Sequence, residues 1–151
     1  MSESKGSPLP PVFFLGALLL QAALHFGLPL ASVVTAPWNW IGSVLVLVGV
    51  TVMVLADAQF KKAKTAISPF DRPSALVCEG VFRVSRNPMY LGMILTLLGA
   101  ATMWGTLTPL LVPWLFGRFV SSRFIRLEEG VLTEVFGAEY EDYRRRVRRW
   151  F

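Results

Sequence analysis

Residues 80–92 read Gly80-Val81-Phe82-Arg83-Val84-Ser85-Arg86-Asn87-Pro88-Met89-Tyr90-Leu91-Gly92, and they join a charged segment to a long apolar one. Asn87 is a good N-cap residue, because its side-chain oxygen can accept from the free N–H groups of a first helical turn. Pro88 suits the N1 position, where no N–H is needed. The pair predicts a helix starting at Pro88. Its free N–H groups and positive dipole end would face the same water layer as Arg83 and Arg86, together forming a receptor for a carboxylate or another anion. The alternative is a capped membrane helix with two snorkelling arginines.

Outward from this junction the charges are segregated. Apolar residues make up 54% of the 151 positions, and none of Asp, Glu, Lys or Arg occurs from Gly6 to Ala56 or from Asn87 to Gly117. A helix rising about 1.5 Å per residue needs roughly 20 residues to cross about 30 Å of hydrocarbon, so each uncharged block holds two spans. The first splits at Leu28-Pro29 and at Ala36-Pro37-Trp38-Asn39-Trp40, where proline, asparagine and paired tryptophans mark an interfacial turn. The second splits at Trp104-Gly105-Thr106-Leu107-Thr108-Pro109. The expected fold is an all-α polytopic membrane protein with a single domain over 1–151, spans near 12–30, 38–57, 88–104 and 107–125, and C-terminal amphipathic helices over 128–150.

Orientation follows from the basic residues. Lys61, Lys62, Lys64, Arg72, Arg83 and Arg86 lie between spans two and three, and Arg126, Arg144, Arg145, Arg146, Arg148 and Arg149 follow span four, while the other two loops carry no charge. Because positive residues in short loops stay cytoplasmic, both termini are expected inside. Thr106 is then outside and Ser68 inside. Lys5, Glu3 and the small residues Val34-Thr35-Ala36 make a weak leader signature, and an uncleaved first span is expected instead. Cys78 is the single cysteine, an apolar filler in a loop, and no internal disulfide can form. His25 stands alone in its span, so no metal site is expected.

The second charged block carries Leu132, Val135, Phe136, Tyr140, Tyr143, Val147 and Trp150 at helical spacing, with Gly137 ending one helix and opening another. Its arginines suit an anionic leaflet of membrane lipids, and no nucleic-acid module is legible. Glu128 and Glu129 repel each other and call for a cationic partner, either Arg86, Arg123 or Arg126 or a ligand. Arg118 lies inside span four, where an ionisable residue faces a cavity or a partner unless it snorkels.

The two blocks together resemble the isoprenylcysteine carboxyl methyltransferase and phospholipid methyltransferase superfamily of integral membrane enzymes. The pattern Arg-His/Asn-Pro-x-Tyr-x-Gly is met by Arg86-Asn87-Pro88-Met89-Tyr90-Leu91-Gly92. Its second half is met by Glu128-Glu129, Leu132, Phe136-Gly137, Tyr140 and Tyr143. Asn87 stands where many relatives have histidine, and the third span holds Gly92 and Gly99 without the glycine-x-glycine element of phospholipid N-methyltransferases.

The resemblance implies an S-adenosylmethionine site at the cytoplasmic face. It places Arg83, Arg86, Asn87, Pro88, Tyr90, Gly92, Glu128, Glu129, Tyr140 and Tyr143 around that cofactor. The arginines and helix start suit its carboxylate, the glutamates its ammonium or ribose hydroxyls, and the tyrosines its adenine and sulfonium. Arg86 and Arg118 are the candidate catalytic residues, Arg118 by holding an acceptor's carboxylate or phosphate. The implied acceptor is lipidic or apolar, as for isoprenylcysteine carboxyl O-methylation. Phospholipid N-methylation, thiol S-methylation, a sterol-type reductase using a nicotinamide cofactor and a non-catalytic membrane scaffold are the competing readings.

Overall fold

The computed structural model describes residues 9–65 and 72–151; Glu3, Lys5 and Ser68 lie outside them. Six α-helices form: α1 Pro10–Gly27, α2 Ile41–Ala63, α3 Pro88–Trp104, α4 Leu111–Val120, α5 Arg126–Phe136 and α6 Ala138–Arg146. Short 3₁₀ turns precede α2, α3 and α4, and no strand occurs among the described residues. By length and composition, α1 and the stretch Trp38–Ala63 can each cross a membrane, and α3 is a shorter apolar helix.

Several expected boundaries move. The first span stops at Gly27 rather than residue 30, because Pro29 cannot continue a helix and biases Leu28 to extended backbone. This puts His25 in the last turn, not mid-span. There its Nδ1 lies 3.0 Å from the Thr106 hydroxyl and its ring stacks on Trp104. The second helix runs past Asp57 to Ala63, carried by the Asp57–Lys61 pair one turn apart and by Lys61 and Lys62 at its negative dipole end. Lys64, in left-handed conformation, ends it.

The fourth apolar helix does not end near residue 125. Leu111–Val120 continues through a π-helical turn, Ser121–Ile125, directly into α5, so the C-terminal segment is an extension of the fourth helix. Gly137, with φ 50°, makes the expected break. Helix α6 then stops at Arg146, and residues 147–151 form a non-helical strap rather than the helix expected to residue 150.

The core lies around α3. Tyr90, Met93 and Leu97 pack against Val112, Phe116, Val120, Phe124 and Ile125. The Gly92–Gly99 face instead meets α2 in antiparallel register. A Cβ on Gly49 would lie 2.6 Å from the Gly92 carbonyl oxygen, and one on Gly99 would lie 2.5 Å from that of Gly42. Small residues two turns apart on both helices therefore let the backbones touch, the packing mode favoured where lipid removes the hydrophobic drive between helices.

Helix α1 is clamped from inside: fully buried Gln21 donates through Nε2 to the carbonyls of Leu97, at 2.9 Å, and Pro109, at 3.1 Å. The two uncharged loops meet at one end of the bundle, where Val33 donates to the Gly105 carbonyl at 2.8 Å and Leu107 to that of Ala31 at 3.0 Å. Arg86, Glu129 and the C-terminal strap gather at the other.

Candidate functional site

At the charged end, the start of α3, the start of α5, α6 and the strap converge. Asn87 does not cap α3 through its side chain as expected. The strap attracts it instead: Asn87 Nδ2 and Ser85 Oγ both donate to the Arg149 carbonyl, at 3.2 and 3.0 Å, and the Arg86 amide donates to that of Arg148 at 3.0 Å. The helix start is as predicted, with Pro88 in the first turn and the Leu91 amide bonding back to the Asn87 carbonyl.

Arg86 lies beneath this strap. Its guanidinium is 3.1 Å from Glu129 and donates to the Tyr140 hydroxyl at 3.2 Å. Arg149 reaches Glu129 from the other side with two donors, the Nε bond measuring 3.1 Å. Only 11% of the Arg86 side chain and 14% of that of Glu129 remain exposed, so this pair is desolvated rather than a surface ion pair. Arg86 Nε is buried without a partner. Tyr140 and Tyr143 are buried beside the cluster, and Tyr143 donates its hydroxyl to the Phe82 carbonyl at 2.7 Å. Burial raises both phenols above their ordinary value.

Glu128 points elsewhere. It accepts from the Tyr90 hydroxyl at 2.5 Å and is largely buried. Burial pushes its carboxyl up to about 7; the neighbouring Glu129 charge adds to this, while the Tyr90 bond opposes it. Glu128, Tyr90 and Arg86 line a cavity of about 270 Å³ whose other walls are mostly apolar, including Pro10, Phe60, Phe82 and Met93. Asn87 and Pro88 border it as well.

Of the residues singled out from sequence, Arg86, Asn87, Pro88, Tyr90, Glu128, Glu129, Tyr140 and Tyr143 come together here. Gly92 is buried one turn further along α3, where it serves the contact with α2. Arg83 is exposed in the turn Gly80–Arg83. Arg118 lies over the Trp114 ring, 5.6 Å from its centroid, and lines a different cavity. Arg149, Ser85 and the α1 and α2 walls were missed. Arg149 is one of a run of arginines that sequence cannot rank, and Ser85 adjoins the motif without belonging to it. No group of histidine, cysteine and acidic residues able to hold a metal occurs among the described residues.

The helical bundle thus buries an arginine–glutamate cluster beside a largely apolar cavity. The chain belongs to the phospholipid methyltransferase family, whose model matches residues 37–139. That match includes α2, which carries no motif legible in the sequence. A probable protein-S-isoprenylcysteine O-methyltransferase of Oryza sativa subsp. indica is 31% identical over 115 residues, covering 72% of this chain and 58% of the rice protein. The protein-S-isoprenylcysteine O-methyltransferase of Schizosaccharomyces pombe is 32% identical over 96 residues, 63% of this chain and 39% of the yeast protein. The chain thus matches well under two thirds of the length of these relatives. No solved structure matches it.

Proposed function

We propose that the protein is an S-adenosylmethionine-dependent integral membrane methyltransferase acting on a lipidic or apolar acceptor at the cytoplasmic face. The observation that carries this reading is the buried Arg86–Glu129–Tyr140–Arg149 cluster, which joins the two halves of the motif beside the cavity that Glu128 and Tyr90 line. In this reading α1, α2, α3 and the helical segment 108–125 are four spans, and the lysines and arginines hold both termini in the cytoplasm.

The donor set fits the cofactor's polar end. The unpartnered Arg86 Nε is an unused cationic donor that a carboxylate would satisfy. Glu128, raised by burial to about 7, stands between its neutral and ionised forms near neutral pH, and its ionised form gains from an ammonium or from hydroxyl donors. Glu129 acts differently: with Arg86 and Arg149 already on it, it fixes the Arg86 guanidinium, and Tyr140 steadies the same group. When bound, the cofactor supplies an electrophilic methyl group. Phe60, Phe82 and Met93 keep water from the cavity and let an apolar acceptor enter from the bilayer.

Likeness to the isoprenylcysteine O-methyltransferases favours a carboxylate acceptor, which needs no base. An amine or thiol must lose a proton first, and Glu128, at about 7, is placed to take one. Isothermal titration of S-adenosylmethionine into purified wild type, Arg86→Ala and Glu129→Gln tests the site. Arg86→Ala should bind roughly tenfold or more weakly, the loss of one charge-assisted contact, and Glu129→Gln should also bind more weakly because the Arg86 guanidinium is no longer fixed. Unchanged affinity in both refutes the assignment. Transfer of labelled methyl to prenylcysteines, phospholipids and thiols then identifies the acceptor. Stabilisation by NADPH in place of S-adenosylmethionine would favour the reductase reading, and binding of neither the scaffold.

A further inference from the structure

A second cavity, of about 420 Å³, opens on another face of α3. Leu91 and Ile94 line it, about 100° around the helix from Tyr90 and Met93, which face the first. Its remaining walls include Trp114, Gly117, Arg118, Ser121, Arg126 and Trp150. Arg118 and Arg126 are eight positions apart, which in a regular α-helix sets them about 80° apart in phase. The π-helical turn Ser121–Ile125 absorbs about one extra residue, so the two guanidinium-bearing positions swing back to within about 20° of one another. Among the described residues no carboxylate pairs with either arginine.

We propose that this groove holds the phosphate of an anionic phospholipid of the inner leaflet between Arg118 and Arg126, with an acyl chain along Leu91, Ile94 and Trp114. Two cations without acidic partners call for an anion, and their depth decides its source. Arg118 lies within the fourth apolar stretch, where a guanidinium faced only by the Trp114 ring is costly, and Arg126 follows just beyond it. Trp150, half-buried against the core, lines the same cavity. A soluble anion would engage the arginines alone, whereas a lipid engages them and the adjoining apolar wall together. Gly117 keeps the floor open: a Cβ there would lie 3.3 Å from Ile94 Cδ1. A zwitterionic headgroup also carries a phosphate, but its own ammonium competes with the arginines for it, so anionic lipid is preferred.

The proposal rests on membrane placement and not on methyl transfer. Quenching of tryptophan fluorescence by phosphatidylglycerol with brominated acyl chains, against the same phosphatidylcholine, tests it on the purified full chain in mixed micelles. Wild type should bind phosphatidylglycerol about tenfold more tightly, and excess inorganic phosphate should not displace it. The paired change Arg118→Gln and Arg126→Gln should erase the preference, and Arg118→Lys with Arg126→Lys should keep part of it. Gly117→Leu, with both arginines intact, should weaken binding of both lipids by filling the groove. Equal affinity for the two lipids in wild type, a preference that survives the paired glutamine change, or displacement by phosphate would each overturn the proposal. None of these outcomes bears on the cofactor titration, which reads a separate cavity.

Discussion

Replacing Glu128 by glutamine isolates the cost of a carboxylate in an apolar cavity. The change keeps shape and keeps an oxygen to accept from the Tyr90 hydroxyl, and it removes the ability to ionise. In the fold the Glu128 carboxyl titrates at about 7 instead of its ordinary 4.5, chiefly through burial. At 1.36 kcal/mol per tenfold shift, ionising it in the folded protein costs about 3 kcal/mol more than in the unfolded chain. The folded state binds the extra proton, so stability falls as pH rises from about 4.5 to about 7, and the full penalty is present above that. Glu128→Gln should therefore match wild type near pH 4 and exceed it by up to about 3 kcal/mol at pH 8. For a chain of this size that is roughly 6 to 12 °C in the unfolding midpoint. Thermal unfolding in detergent across this range reads the difference. Parallel pH profiles for the two proteins would show that Glu128 ionises freely, and would remove it as a proton acceptor.

The glycine contact predicts that Gly49→Leu collapses the α2–α3 pairing, since even a Cβ would sit 2.6 Å from backbone of the facing helix, whereas Gly16→Leu, with nothing within 4 Å, should be neutral; unfolding midpoints of the two variants decide. Tyr143→Phe removes the hydroxyl bond to the Phe82 carbonyl and should cost about 1 kcal/mol, measured as a lower midpoint. For topology, Thr106 is buried, so the probe belongs at exposed Val33, whose loop bonds to the same segment. In a Cys78→Ala background, a cysteine replacing Val33 should react with an impermeant maleimide outside intact cells and one replacing Arg148 should not. The reverse pattern would invert the orientation.

The sequence alone determined the long apolar helices, the helix start at Pro88, the break at Gly137 and the pairing of two distant motifs, because each is written in local signals: charge gaps, a proline, a glycine, a fixed spacing. It also called for a cation at the two glutamates, Arg86 among the candidates, which holds for Glu129 and not for Glu128, whose partner is the Tyr90 hydroxyl. Tertiary structure decided the rest. Whether Asn87 caps its helix or bonds the strap depends on a carbonyl more than sixty residues away, and no propensity records that. The split between Glu128, facing Tyr90 and the cavity, and Glu129, facing Arg86 and Arg149, arises because adjacent positions on a helix point about 100° apart. Which arginine in a basic run is structural is settled by the path of the strap, and the phase of Arg118 by one π turn whose extra residue leaves no mark in composition.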